Sequence, residues 1–157
     1  MKKILLIILL SLPSVVALAQ KNMDEFFAGY SGRKGYQTIV YGKRMLEMMK
    51  KDASSDVKDL LSRIKIIRII SCEQAQDEMA GLAKKAARDS KKAYEIISQI
   101  NEDDACSEFY ISEDTGKSKE VSFVMIASSS QGTAVMEIIG EFNVRDITKL
   151  SVIGQKK

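Results

Sequence analysis

Isoleucine occupies both parities of the segment Ile64-Lys65-Ile66-Ile67-Arg68-Ile69-Ile70. Successive residues of a strand face opposite ways, so an extended run of this kind needs apolar cover on at least part of both faces. It predicts a central strand. Lys65 and Arg68 have opposite parity and send one charge to each face, expected near a strand end or snorkelling to water. Directly after it, Ser71-Cys72-Glu73-Gln74 has the Ser-x-x-Gln form of a capping box and predicts the longest helix, running to about Lys92. Ala75, Met79, Leu82, Ala83 and Ala86 form its apolar stripe. Acidic Glu73, Asp77 and Glu78 come early and basic Lys84, Lys85, Arg88, Lys91 and Lys92 late, an order that suits the helix dipole.

Upstream, helical spacing of Phe26, Phe27 and Tyr30 predicts a first helix over Asp24 to Tyr30. A turn at Ser31 to Gly35 leads to a strand over Tyr36 to Tyr41, rich in β-branched and aromatic residues. A helix over Lys43 to Lys51 carries Met45, Leu46, Met48 and Met49, spaced for core packing. Ser54-Ser55 offers an N-cap to another helix whose inner face is Val57, Leu60 and Leu61. Downstream the chain reads as strands over Tyr94 to Ile100, Ala105 to Ser112, Glu120 to Ser128 and Thr133 to Glu141. The first of these also reads as an extension of the long helix. Short polar turns between consecutive strands imply antiparallel hairpins. A last helix, Val144 to Leu150, takes Asn143 as its cap and leads to a tail at Gly154 to Lys157. The pattern gives a single two-layer α+β domain: a mainly antiparallel sheet, a C-terminal strand meander and helices packed on it.

The chain begins Met1-Lys2-Lys3, continues with an apolar run from Ile4 to Leu12, and reaches Ala17-Leu18-Ala19-Gln20 after Pro13. This is the form of a secretory signal peptide. The apolar run falls well short of the roughly 20 residues a spanning helix needs. Cleavage is expected between Ala19 and Gln20, giving residues 1–19 as signal peptide and 20–157 as one domain with an ordered core over about 23–151. A lipid-anchored protein would carry cysteine where Gln20 stands, so a soluble periplasmic protein is expected. Removing two lysines leaves 24 − 2 = 22 basic against 21 acidic residues. That balance gives no electrostatic footprint for nucleic acid.

Chemistry is narrowed by one absence: the chain has no histidine. The commonest general acid–base and the commonest metal ligand are both missing, and no Ser-His-Asp or Cys-His site can form within the chain. Gly116-Lys117-Ser118 resembles the end of a phosphate-binding loop, but Ile111 occupies the position of the earlier glycine. No catalytic, cofactor-binding or metal-binding residues are assigned. Cys72 and Cys106 admit three states. In an oxidising compartment they could bridge, closing a loop worth roughly 3–4 kcal/mol in the chain-entropy model. Cys72 could instead be a reactive thiolate at a helix N-terminus, or both could be buried thiols.

Several segments together resemble one family. The signal peptide precedes Phe26-Phe27-x-x-Tyr30; Ile66-Ile67-Arg68-Ile69-Ile70-Ser71 and Phe109-Tyr110-Ile111 follow. The chain then runs from Val135-Met136-Glu137-Ile138-Ile139-Gly140 through Glu141-Phe142-Asn143 to Val144-Arg145-Asp146-Ile147, a strand, a glycine and a short helix with an acidic-aliphatic pair. This resembles domain of unknown function 4252, small exported proteins of Bacteroidetes-type bacteria. The resemblance implies an envelope location and one compact domain, and it implies no activity. Some members look like lipoproteins, from which Gln20 departs. A non-enzymatic protein that binds an envelope protein or a small ligand is expected. The alternatives are a thiol-dependent redox protein using Cys72 and Cys106, and association with a membrane surface through the first helix and the basic helix end.

Overall fold

The computed structural model describes residues 22–73, 77–90, 94–113 and 119–147. The signal-peptide assignment, with Ala19 and Gln20, lies outside the described residues, as do residues 116–118 and the C-terminal tail. In chain order the elements are α1 (Met23–Tyr30), β1 (Gln37–Tyr41), α2 (Lys43–Met49), α3 (Ser55–Arg63), β2 (Ile64–Cys72), α4 (Asp77–Arg88), β3 (Glu95–Glu102), β4 (Ala105–Glu113), β5 (Val121–Ser129), β6 (Gly132–Gly140) and α5 (Val144–Ile147).

All six strands join one sheet in the order β1-β2-β6-β5-β4-β3, every neighbouring pair antiparallel. The four later strands form the expected meander, and of Tyr94 to Ile100 all but Tyr94 fall to strand, in β3. The meander's last strand, β6, returns to lie beside β2, pairing Ile67 with Ile138 and Ile70 with Val135. The isoleucine-rich β2 is thus internal, as its two-sided pattern requires.

Its two faces meet different helices. One face contributes Ile70, Val135, Val124 and Ile126 to a core closed by α1 and α4, through Phe26, Tyr30, Met79 and Ala83. The other contributes Ile67, Ile138 and Phe123 to a core closed by α2 and α3, through Leu46, Leu60 and Leu61. The α+β class therefore holds, with helices on both faces of the sheet where the sequence suggests a single helix layer. Alternation is the reason: each of the long inner strands carries large apolar residues at both parities.

Several expectations are corrected. Ser71 and Cys72 do not cap a helix; they end β2, paired with Ala134 and Thr133. Sheet pairing with β6 outcompetes the local capping box, and α4 is described over Asp77–Arg88. Met45 and Met48 are exposed, and of the α2 methionines only Met49 packs against the core. Leu46 alone fills the buried position of that short helix. Ser54 sits at the start of α3 without a side-chain capping bond.

Other local signals hold. Asn22 caps α1, its side chain accepting from the Glu25 amide at 2.9 Å. Asn143 and Asp146 cap α5 reciprocally, with the Asp146 amide donating to Asn143 Oδ1 at 3.1 Å and the Asn143 amide to Asp146 Oδ2 at 3.2 Å. Arg63, at the end of α3, bonds Asp146 at 3.1 Å and the Glu141 carbonyl at 3.0 Å, tying the two chain halves together at the sheet's lower end.

Gly140 closes that end. It opposes Ile64 and Val121, and a Cβ there would lie 2.4 Å from the Arg63 carbonyl oxygen and 2.7 Å from Ile64 Cα. Both obstacles are backbone. Gly140→Ala is expected to destabilise the domain by about 1–3 kcal/mol, measured by urea unfolding. Gly81→Ala, whose Cβ meets nothing within 4 Å, is expected to be neutral or stabilising because it favours helix.

Candidate functional site

Cys72 and Cys106 are not brought together. Cys72 lies on β2, opposite Thr133; Thr133 opposes Ser128, and Ser128 opposes Cys106 on β4. Two strands stand between them, which places them about 14 Å apart at the usual strand spacing, twice the reach of a disulfide. Neither forms one. Cys72 is also buried and ends β2. The bridge is corrected by strand order, which sets β6 and β5 between the two cysteines.

The ionisable side chains that do converge lie on the face covered by α1 and α4. Arg68 and Glu137 are direct cross-strand partners on β2 and β6. Arg68 Nε donates to Glu137 Oε2 at 2.7 Å, and Nη2 donates to the same oxygen. Nη2 also donates to Asp24 of α1 at 2.6 Å, and the guanidinium lies 4.5 Å from the Phe27 ring centroid. On the other carboxylate oxygen, Ser122 donates to Glu137 at 2.9 Å and Tyr94 at 3.1 Å, with the two hydroxyls 2.7 Å apart.

Burial works against the charge on Arg68, but attraction to Glu137 and bonds to Asp24 and Glu137 outweigh it and hold its pKa above the ordinary value. Burial, then the Glu137 charge, raises the Tyr94 phenol. This phenol stays neutral and serves as a hydrogen-bond donor. Snorkelling does not describe Arg68; it sits mid-strand with every partner supplied by the protein.

A second buried carboxylate stands two strands away. Glu108 on β4 accepts from Tyr110 at 2.6 Å and from Lys84 of α4 at 2.9 Å. Burial alone would raise its pKa, yet these two bonds and the Lys84 charge bring it below the ordinary carboxylate value. The basic end of α4 is therefore engaged in part with the sheet. Likewise Phe26, Phe27 and Tyr30 are buried and present no aromatic patch to a membrane. Among the described residues no group of three or more cysteines or carboxylates could hold a metal ion.

Both carboxylate clusters are closed on themselves and act as clamps between helix and sheet. The open part of the molecule is the sheet's margin. All eight residues of β3 are exposed, including Ile96 at 52% and Ile100 at 50%. Among the described residues β3 pairs only with β4, so its outer edge carries backbone donors and acceptors with no strand partner there. Neither α4, which packs on β5 and β6, nor α2 and α3, which pack near β1 and β2, reaches it. Isoleucine in an uncovered edge strand is a liability that folded proteins ordinarily blunt. Here the two hairpin ends carry the charges: Glu95 at one, and Glu102, Asp103 and Asp104 at the other.

Two signals in the sequence point to these features. Glu137 in Val-Met-Glu-Ile-Ile and Arg68 in Ile-Ile-Arg-Ile-Ile are single opposite charges in apolar strands. In β3, isoleucines alternate irregularly with Ser98, Gln99 and Asn101, a pattern without a clean buried face.

Removing Arg68 leaves Glu137 uncompensated in a site where it is 1% exposed. Arg68→Ala is expected to cost about 3–5 kcal/mol, and Arg68→Met/Glu137→Leu much less than the sum of its single changes; a double-mutant cycle in urea measures both. Glu108 has a lowered folded pKa, so its contribution is complete above the unfolded value of 4.5 and fades as pH falls through the folded one. Glu108→Gln is expected to flatten the fall of stability with pH below that value, read from thermal midpoints across an acid series.

The sequence family described as Domain of unknown function (DUF4252) matches residues 30–150 of the chain. No curated protein matches it.

Proposed function

The chain belongs to the DUF4252 family, and we propose that it is an exported, non-enzymatic binding protein of the cell envelope that takes an extended partner strand on the free edge of β3. The observation that carries this reading is the full exposure of an eight-residue edge strand bearing three isoleucines. A strand added there gains main-chain hydrogen bonds along its length and side-chain contacts at alternate positions. The polar clusters on the covered face support the reading from the other side, because their groups already bond one another and the chain lacks histidine. The signal-peptide form of residues 1–19 supports export.

A photo-crosslinking residue at Ile97, with Lys58 of α3 as the control position, tests this in the native envelope. Discrete adducts are expected from position 97 and none from position 58. Ile96→Lys/Ile100→Lys, which puts charge on the edge without touching a buried residue, is expected to abolish them. Absence of any adduct at position 97 overturns the reading.

A further inference from the structure

The sheet has a second margin, and it complements the first. We infer that the strand taken by β3 is β1 of a second copy of this chain, joined head to tail into one continuous sheet; this rests on β3 being the binding edge. Six of the seven large apolar side chains exposed among the described residues lie at the two margins. Ile96, Ile97 and Ile100 stand on β3; Val40 stands on β1, and Met45 and Met48 on the helix that follows it.

Strand polarity permits the joint. Successive strands across the order β1-β2-β6-β5-β4-β3 alternate in direction, so β3 runs opposite to β1. A second copy placed beside the first in the same orientation therefore presents β1 antiparallel to β3, with like faces of the sheet aligned. No strand needs to reverse.

Side-chain placement fits the same arrangement. Val40 shares the face of Arg68, and Ile96 the face of Tyr110, through the row Val40-Arg68-Glu137-Val124-Tyr110-Ile96. The incoming Val40 arrives on the side where Ile96 is bare. On the opposite face, α2 packs on β1 and β2. Its Lys43 and Glu47 line a cleft with Leu61 of α3, so the exposed Met45 and Met48 lie on the helix flank turned away from α3. In the joint this flank lies toward the Glu95 end of the neighbour's β3. Flexible methionines adapt well to such a surface.

Charge selects this pairing over its alternatives. Arg33 and Lys34 precede β1, Lys43 and Arg44 follow it, and all four are exposed. Antiparallel docking sets Arg33 and Lys34 toward Glu102, Asp103 and Asp104, and Lys43 and Arg44 toward Glu95. A twofold β3–β3 pair would instead place the Glu95 end of each strand against the Glu102 end of the other, where like charges oppose. A head-to-tail contact leaves one free edge at each end and propagates.

Sedimentation of the purified protein over a concentration series tests the inference, beside two edge variants. Ile96→Lys/Ile100→Lys blocks the β3 margin and Val40→Lys/Met48→Lys blocks the β1 margin; all four residues are exposed, and unchanged thermal midpoints verify folding. The wild type is expected to gain mass with concentration, and about tenfold less readily on going from low to about 0.5 M salt. Each variant alone is expected to stay monomeric. Their equimolar mixture is expected to form dimers and nothing larger, because each copy retains one complementary edge. A wild type that remains monomeric throughout, association of the β1-blocked variant with itself, or a mixture that fails to pair overturns the inference. Adducts from position 97 to another envelope protein, with a monomeric wild type, would leave β3 as the binding edge and remove the second copy as its partner.

Discussion

Arg68 and Glu137 face each other where the two halves of the chain meet. The first half supplies β1 and β2, the second supplies the meander from β3 to β6, and the β2–β6 ladder joins them. Nothing in local sequence dictates that junction, which spans a separation of 69 residues. The paired charges restrict its register, because a slip of one residue would put them on opposite faces of the sheet, one of them unpaired in the core beneath α2 and α3. The cluster then extends outward: Asp24 draws α1 onto Arg68, while Tyr94 and Ser122 saturate Glu137 from the meander. A buried ion pair adds little stability over an apolar replacement, but breaking one partner is costly. Its effect here is to make one strand alignment far better than its neighbours.

Coverage of the sheet is uneven, and the proposed function follows from that. Helices close both faces over the inner strands, while the margins are left to β1 and β3. The buried charged groups lie under the helices and are bonded to one another. Among the described residues, six of the seven exposed large apolar side chains lie at the margins. A protein with its reactive-looking groups sealed and its edges open is suited to joining strands.

Much of the fold was legible in the sequence because local patterns and tertiary demands agree. Phe26, Phe27 and Tyr30 at helical spacing, the two-sided isoleucine run and the four-strand meander all describe elements that form as read. The failures have specific causes. Ser71-Cys72-Glu73-Gln74 satisfies a local capping rule, yet each of its first two residues gains a ladder partner on β6, and sheet pairing prevails. Met45 and Met48 have the spacing of core residues, but a seven-residue helix has room for one strongly buried position, which Leu46 takes. Cysteine count and compartment favour a bridge, and neither measures distance across a sheet.

The sequence by itself determined the class of the domain, the identity of most elements and the absence of histidine chemistry, since these depend on residue type and short-range periodicity. Only the tertiary structure decided that β6 returns to β2, that Arg68 meets Glu137, that Cys72 and Cys106 stand two intervening strands apart, and that β3 ends the sheet uncovered. Those outcomes depend on strand order. Strand order is set by contacts between residues far apart in the chain, where no local pattern records which neighbour each strand will find.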